Sequence, residues 1–438
     1  MADLSNTLVS FAQAFALMGM YDAMFRMFFE KDDLDYKKTV CTTAFFFVTG
    51  CSLAICIGMV LFADPIARAF FGGAEFTSLT IISALTVPAG GNGVIIQAPT
   101  RMQNKKVVYI VVNLVTSVLS YAISVPLILA GQYLLALPIA TLLSNVTFLV
   151  VFAILNWRWF PPKNFDSKLL REMLAIGVPL MPTFLFYWIF NSADRIMIVN
   201  LIGVDASGIY AVAAKLGNVS QIVYTAFAQG WQYFAFSTMK DSDSVELKSR
   251  VYEYLGAVSF LCTGLLLVVL KPLYGFLFAP QYADGVYAVP YLFLAPLLLM
   301  LFQVASNQLV VVKKTGFVSV VLAVGAVSNV VVNLLLIPVL GIEGAAIATL
   351  VGYIITNVVI FVLLTRMDLL VIKPRFGIAV LLMAALLVLW RLVASNNILL
   401  ILAGFAVFAA CLGLLYKQDI ANLLRRLKRV ASKKGDEA

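Results

Sequence analysis

Thirteen stretches of about 20 apolar residues follow one another along the chain, at about 4–25, 39–62, 77–99, 107–130, 133–156, 172–201, 206–236, 250–275, 286–311, 317–339, 342–364, 376–394 and 397–416. About 20 residues at 1.5 Å rise each suffice to cross a hydrocarbon core of about 30 Å. The runs are continuously apolar rather than alternating, and they are too long for barrel strands. Backbone in hydrocarbon must satisfy its own hydrogen bonds, so each run predicts a transmembrane helix. Pro88, Pro126, Pro179, Pro182 and Pro296 interrupt several of them and predict kinks.

The polar positions between the runs are sorted by sign. Of the 31 Lys and Arg, 26 fall in one alternate set of connections, which includes Lys37-Lys38, Lys105-Lys106, Lys313-Lys314 and the basic tail after Tyr416. The opposite set holds Arg68, Lys271 and Arg391, while Arg195 and Lys215 lie within runs. Cytoplasmic loops carry the excess of basic residues, so this asymmetry places the C-terminus in the cytoplasm and residue 1 outside. The net charge of +9 thus follows membrane topology and does not imply nucleic acid. The tail, Leu423 to Ala438, reads equally as an amphipathic helix on the anionic inner leaflet or as a solvated segment.

The pattern also occurs twice. Lys105-Lys106 recurs 208 positions on as Lys313-Lys314, and at the same offset Pro138-Ile139-Ala140-Thr141 meets Ala346-Ile347-Ala348-Thr349 and Pro88 meets Pro296. A period near 200 residues is too long for a solenoid, whose repeats run about 20–50 residues. It is the length of a duplicated six-helix bundle, the arrangement of many transporters. The expected fold is therefore an all-α polytopic membrane protein with about 13 spans. Its parts are an N-terminal lobe over 1–160, a C-terminal lobe over 161–370, and a helix pair with a basic cytoplasmic tail over 371–438.

Composition agrees: 62% of residues are hydrophobic, 12% are charged, and mean hydropathy is +0.98. Soluble domains carry about 25% charged residues. The five Cys lie inside apolar runs without a C-x-x-C pair, and read as small hydrophobes. The chain has no His, which removes the commonest metal ligand and general base. No metal site and no cofactor is expected.

Charge within a span is costly and marks function by default. The candidates are Asp22 and Arg26 at the end of the first span, Asp194 and Arg195 in the sixth, and Lys215 in the seventh. Glu253 and Glu343 lie within about a turn of a boundary and are set aside. Each candidate has a structural alternative. Asp194-Arg195 can fix helix depth as a boundary pair, or Asp194 can pair with Lys215 to join two helices. Arg26 can snorkel, and Asp22 can simply partner Arg26 one turn on. Asp22 and Asp194 are otherwise carboxylates able to couple a cycle to an ion gradient. Tyr21, Gln229, Trp231 and Gln232 suit stacking on and hydrogen bonding to sugar rings, or belong to an interfacial aromatic belt.

The second half opens with Gly177-Val178-Pro179-Leu180-Met181-Pro182, then Ser192-Ala193-Asp194-Arg195, Gly208-Ile209-Tyr210, Ala213-Ala214-Lys215 and Phe227 to Trp231. This string resembles the polysaccharide transporter branch of the multidrug/oligosaccharidyl-lipid/polysaccharide flippase superfamily, the Wzx-like flippases. The resemblance implies movement of an undecaprenyl-diphosphate-linked oligosaccharide across the bacterial cytoplasmic membrane for capsule, O-antigen or exopolysaccharide synthesis, by two lobes alternating their access. It implies a cationic cleft for the diphosphate, which points to Arg195, Lys215 and Arg26, since Arg grips phosphate bidentately and Lys supplies a point charge. Membrane lipid, a polysaccharide polymerase and glycosyltransferases are the partners that go with it. A multidrug or cation antiporter of the same superfamily is the alternative; three cations against two carboxylates tilt the set toward an anionic cargo. An integral membrane enzyme is disfavoured by short outer loops and the lack of His.

The family has fourteen helices, and this chain reads as one short. Aligned on the repeat, residue 1 falls opposite a position near Gly208, so the helix at about 172–201 has no counterpart in the first half. The expectation is a first helix absent from this chain, through a truncated gene model or a start site chosen too late. Sequencing upstream of codon 1 tests it: the expected result is a reading frame adding about 35 mostly apolar residues, one span and its connection.

Overall fold

The computed structural model describes residues 2–394, 397–422 and 425. All regular structure among them is helical. The tail read as an amphipathic or solvated segment lies outside the described residues, Arg425 apart. Among the described residues ten helices are long and apolar enough to cross a membrane, and an eleventh span forms if Leu4–Leu17 and Met20–Phe28, bent by 45°, count as one. Gly316–Arg366 is continuous over 51 residues but breaks at Gly341 (φ 60°, ψ −137°). A straight helix of that length would measure about 75 Å, more than twice the hydrocarbon thickness, so it supplies two spans. Val204–Gly217 and Val219–Ser237 fall at the run 206–236 and carry Lys215, Gln229, Trp231 and Gln232; neither is among the ten. Each of the thirteen runs thus coincides with a helix or a helix pair.

Helix limits follow local chemistry. Asp33 caps Leu34–Leu61 by accepting from Tyr36 N (2.8 Å), Asp166 caps Ser167–Gly177 through Lys168 N (2.8 Å), and Asn397 caps Ile398–Leu415 through Leu399 and Leu400 N (3.1 Å each). Each satisfies amides that a helix start leaves without partners. Pro179 and Pro182 part Ser167–Gly177 from Thr183–Ile202, since proline lacks the amide and clashes with the preceding turn. The bend near residue 18 has a different cause. Gly19 sits at φ +67°, and a Cβ there would run into the Gly177 carbonyl. Two glycines let the backbones approach while one takes the left-handed conformation.

The chain divides into two compact units. The first comprises Met1–Leu185, Gln232–Met239 and Leu309–Val320. In it Thr77–Ile96 packs between Leu34–Leu61 and Ala136–Asn156, with Lys106–Leu129 beyond. Only 11% of the apolar window in Lys106–Leu129 is buried, so that helix faces lipid. A core of Met20, Met24, Phe25, Met27 and Phe28 meets Met173, Ile176, Phe236 and Val310. Residues of the second repeat are therefore built into the same core as the first.

The second unit comprises Phe186–Trp231, Lys240–Gln308 and Val321–Ala438. Val289–Val311, 83% buried over its window, is its most enclosed span. Ser244–Leu277 carries the C-terminal pair, Pro374–Leu389 and Ile398–Leu415. Glu253, set aside in the sequence, anchors that pair. It accepts from Lys373 N (2.7 Å) and Arg375 Nε (2.9 Å), and Arg375 also binds Asp419 and lies 4.4 Å from the Tyr416 ring. Burial pulls the Asp419 carboxyl up, but hydrogen bonds from Arg375 and Tyr254 outweigh it and hold the group below the usual carboxylate range. At the far end of the span, Glu343, likewise set aside, takes Arg391 through two bonds of 2.6 and 2.9 Å.

The Glu253 side chain is 3% exposed. Removing one partner of such a buried pair leaves an uncompensated charge and costs about 3–5 kcal/mol. Arg375→Ala is expected to lower the melting temperature of the detergent-solubilised chain by several degrees, and Glu253→Gln in that background to recover part of the loss.

Candidate functional site

Two polar clusters stand out at span depth, one in each unit. In the second unit, Asp194 projects from Thr183–Ile202 and is 4% exposed. Its Oδ2 accepts from the Tyr210 hydroxyl (2.7 Å) on Val204–Gly217 and from the Thr349 hydroxyl. Its Oδ1 accepts from Asn333 Nδ2 (2.8 Å). Asn329 Nδ2 donates in turn to Thr349 Oγ1 (3.3 Å). Asn329 and Asn333 are one turn apart on 316–340, and Thr349 comes from 342–366, so the break at Gly341 folds one span back beside the other to complete the cluster. Phe190, one turn before Asp194, stacks on Tyr353, one turn after Thr349 (centroids 4.2 Å, 10° between planes).

The cluster is rich in oxygen. Asn329 and Asn333 are both 0% exposed, and their Oδ1 atoms have no hydrogen-bond partner among the described residues. Buried amide oxygens left unpaired are uncommon and call for a reason. They flank a carboxylate whose other contacts are hydroxyl and amide donors. Beside it lies a cavity of about 60 Å³ whose lining includes Phe190, Asp194, Arg195, Tyr210, Thr349 and Tyr353.

Arg195 and Lys215 are exposed, and neither forms an ion pair among the described residues. The structural alternative that paired Asp194 with Lys215 does not describe this structure: the carboxylate is held by Tyr210, Thr349 and Asn333. Trp231 is buried and stacks on Phe227 (5.6 Å), while Gln229 is exposed.

In the first unit, Asp22 Oδ1 accepts from Gln232 Nε2 (2.9 Å), which joins a residue of each repeat. Tyr21 accepts from Arg101, whose guanidinium also lies 5.3 Å from the Phe25 ring and 5.4 Å from that of Tyr109. Arg26 is 8% exposed; it pairs with Glu30 and donates from Nε to the Val311 carbonyl (2.7 Å), and Lys313 stands 3.7 Å from the same Glu30 carboxylate. Asp22 and Arg26 therefore have separate partners rather than each other.

Sequence reasoning missed several of these residues. Arg101 and Lys248 belong by position to the connections that hold most of the basic residues, yet Lys248 is 1% exposed with Nζ on Gln308 Oε1 (3.1 Å). Asn329, Asn333 and Thr349 carry no charge, so they gave no stronger signal than any polar residue in a span. Their spacing of one turn on a common face was the only clue.

The all-helical, multi-pass fold is shared by solved structures of other membrane proteins. Over 83% of this chain and 87% of that one, a MATE transporter of Vibrio cholerae, VcmN, superposes with a TM-score of 0.69 at 14% identity. An outward-facing multidrug resistance MATE transporter of the MOP superfamily gives 0.69 at 16% identity over 84% and 86%. The MATE transporter ClbM, in complex with Rb+, gives 0.65 at 17% identity over 85% and 86%. The chain belongs to the polysaccharide biosynthesis protein family, whose model matches residues 1–287. It is also 25% identical over 228 residues to an uncharacterized membrane protein of Methanocaldococcus jannaschii, a match over 50% of this chain and 45% of that protein. The fold is therefore the one these solved transporters share.

Removing a donor to a buried carboxylate leaves it under-satisfied, at a cost of about 1–3 kcal/mol. Asn333→Leu is expected to destabilise the solubilised chain by that amount, whereas Lys215→Ala, exposed and unpaired, stays within about 0.5 kcal/mol of wild type. Thermal unfolding in detergent measures both.

Proposed function

We propose that this chain is a flippase that carries an undecaprenyl-diphosphate-linked oligosaccharide across the bacterial cytoplasmic membrane for capsule, O-antigen or exopolysaccharide synthesis, with its C-terminus in the cytoplasm. The observation that carries the reading is a division of charge around one helix. Asp194 is buried within its own hydrogen bonds, while the next residue, Arg195, and Lys215 on the following helix stay exposed without a carboxylate partner among the described residues. Two unpaired cations suit the diphosphate of such a cargo, and the polysaccharide biosynthesis family supports its class. Tyr21, Gln229, Trp231 and Gln232 are the proposed sugar contacts. Arg26 is a third proposed cation for the cargo, with its side chain shared with Glu30 and the Val311 carbonyl.

Asp194 is the proposed ion-coupling group. A carboxylate surrounded by hydroxyls and by two unpaired amide oxygens offers hard oxygen ligands to a proton or a small cation. Asp22, tied to Gln232 of the second repeat, is the second proposed coupling group. The two lobes alternate their access, and a polymerase and glycosyltransferases work on either side of the step.

Deletion of the gene is expected to abolish surface polysaccharide and to leave lipid-linked repeat units inside; wild type restores export. Arg195→Ala and Lys215→Ala are each expected to lower the export rate on the order of tenfold, the size of a lost charge-assisted hydrogen bond. Full export by the double variant rejects the cationic reading. Asp194→Asn is expected to make export insensitive to collapse of the sodium or proton gradient that drives wild type. Drug efflux without any effect on polysaccharide identifies the antiporter instead.

A further inference from the structure

The second unit holds another, larger cavity besides the one at the Asp194 cluster, and the two share no lining residue. It is a groove of about 610 Å³ between Ser244–Leu277, Val289–Val311, 342–366 and Pro374–Leu389. Its size is that of sites that bury a whole small ligand, about 300–1,000 Å³. Its rim is open to the surroundings: Leu381 is 70% exposed and Val358 54%. These residues belong to spans, so what meets the groove is hydrocarbon rather than water.

The lining specifies the occupant. Along its depth the groove presents Leu294, Leu298, Leu301, Phe361 and Met383. The polar side chains there are used up: Tyr252 donates to Asn357 Oδ1 (3.1 Å), and Asn357 Nδ2 donates to the Leu298 and Tyr353 carbonyls (3.0 and 2.9 Å). Gly377 leaves one wall open, with nothing within 4 Å of where a Cβ would stand. At one end sits Lys373, exposed, its ammonium in no ion pair among the described residues. The two nearby carboxylates, Glu253 and Asp419, are both held by Arg375. Lys373 lies in the connection after Arg366, on the side where the basic residues collect. An apolar slot whose polar side chains are satisfied, with one exposed Lys that feels Asp419 but forms no ion pair among the described residues, matches an amphiphile with a hydrocarbon chain and an anionic head.

We propose that this groove is a structural lipid site, which takes one acyl chain of an anionic phospholipid of the inner leaflet and sets its phosphate against Lys373. The site ties the C-terminal pair to the lobe helices by filling the space between them. One Lys near an anionic lipid surface is worth about a fivefold preference.

Native mass spectrometry of the full chain in mild detergent tests this, with dioleoyl phosphatidylglycerol or dioleoyl phosphatidylcholine added. The expected result is one tightly held phospholipid per chain, with phosphatidylglycerol preferred about fivefold. Lys373→Gln is expected to keep a bound lipid but lose the preference. Gly377→Leu and Ala384→Leu, which fill the slot from two positions, are expected to lose the bound lipid. Equal binding of the two lipids by wild type overturns the proposal, as does an unchanged preference in Lys373→Gln. Full lipid retention by both filled variants overturns it as well. Displacement of the phospholipid by an equimolar polyprenyl phosphate makes the groove a tail site for the cargo and overturns it too. Should the filled variants not fold, the Lys373→Gln comparison decides alone.

Discussion

Hydrocarbon offers no hydrogen bonds, and the rest of this structure follows from that lack. Every backbone amide and carbonyl at span depth must find a partner within the protein. The chain answers with helices throughout the described residues, and treats each departure from helix as a special case. At Gly19 the left-handed turn lies against Gly177, so the irregular backbone is buried in protein. At Pro179 and Pro182 the break carries a 3-10 turn over Val178–Leu180, and Ser319 donates to the Pro179 carbonyl. Kinks are tolerated where neighbours re-satisfy the freed groups.

The same constraint governs side chains. A charge at depth is stable only with partners, and this chain supplies them in two ways. Glu253, Glu343 and Arg26 are neutralised by opposite charge close to the ends of spans. Asp194 forms no ion pair among the described residues and relies on Tyr210, Asn333 and Thr349 instead. The first arrangement fixes helices in place. The second leaves a carboxylate with oxygen neighbours, whose charge can be exchanged with a proton or cation without breaking an ion pair. That difference separates structural charges from the proposed coupling group more sharply than burial does.

Much of this was legible in the chain. All thirteen apolar runs match helices or helix pairs, because length and apolarity are local properties with one outcome in lipid. The proline break near 179 was legible for the same reason, whereas Pro88 lies inside an uninterrupted helix over Thr77–Ile96. The polysaccharide family that the string around Asp194 and Lys215 resembles is the one whose model matches. The partners of those residues were not legible. Nothing local distinguishes Asn333, 139 positions from Asp194, from the other amides in spans. Nor does the sequence tell that Glu253, near a boundary, meets Arg375, or that Lys248 in a basic connection is buried on Gln308.

The sequence by itself determined that the chain lives in a membrane, where its spans run and how its pattern repeats. Those properties depend on the transfer of about 20 neighbouring residues at a time, and a contiguous sum can be read along the chain. Only the tertiary structure decided which charges are paired, which amide oxygens are left open, and where a groove remains between spans. These depend on the rotation of each helix about its axis and on contacts between residues far apart, which no local sum contains. The two copies at an offset of 208 show the limit: the repeat announces two similar bundles, yet Gln232–Met239 and Leu309–Val320 of the second copy pack within the unit built on the first.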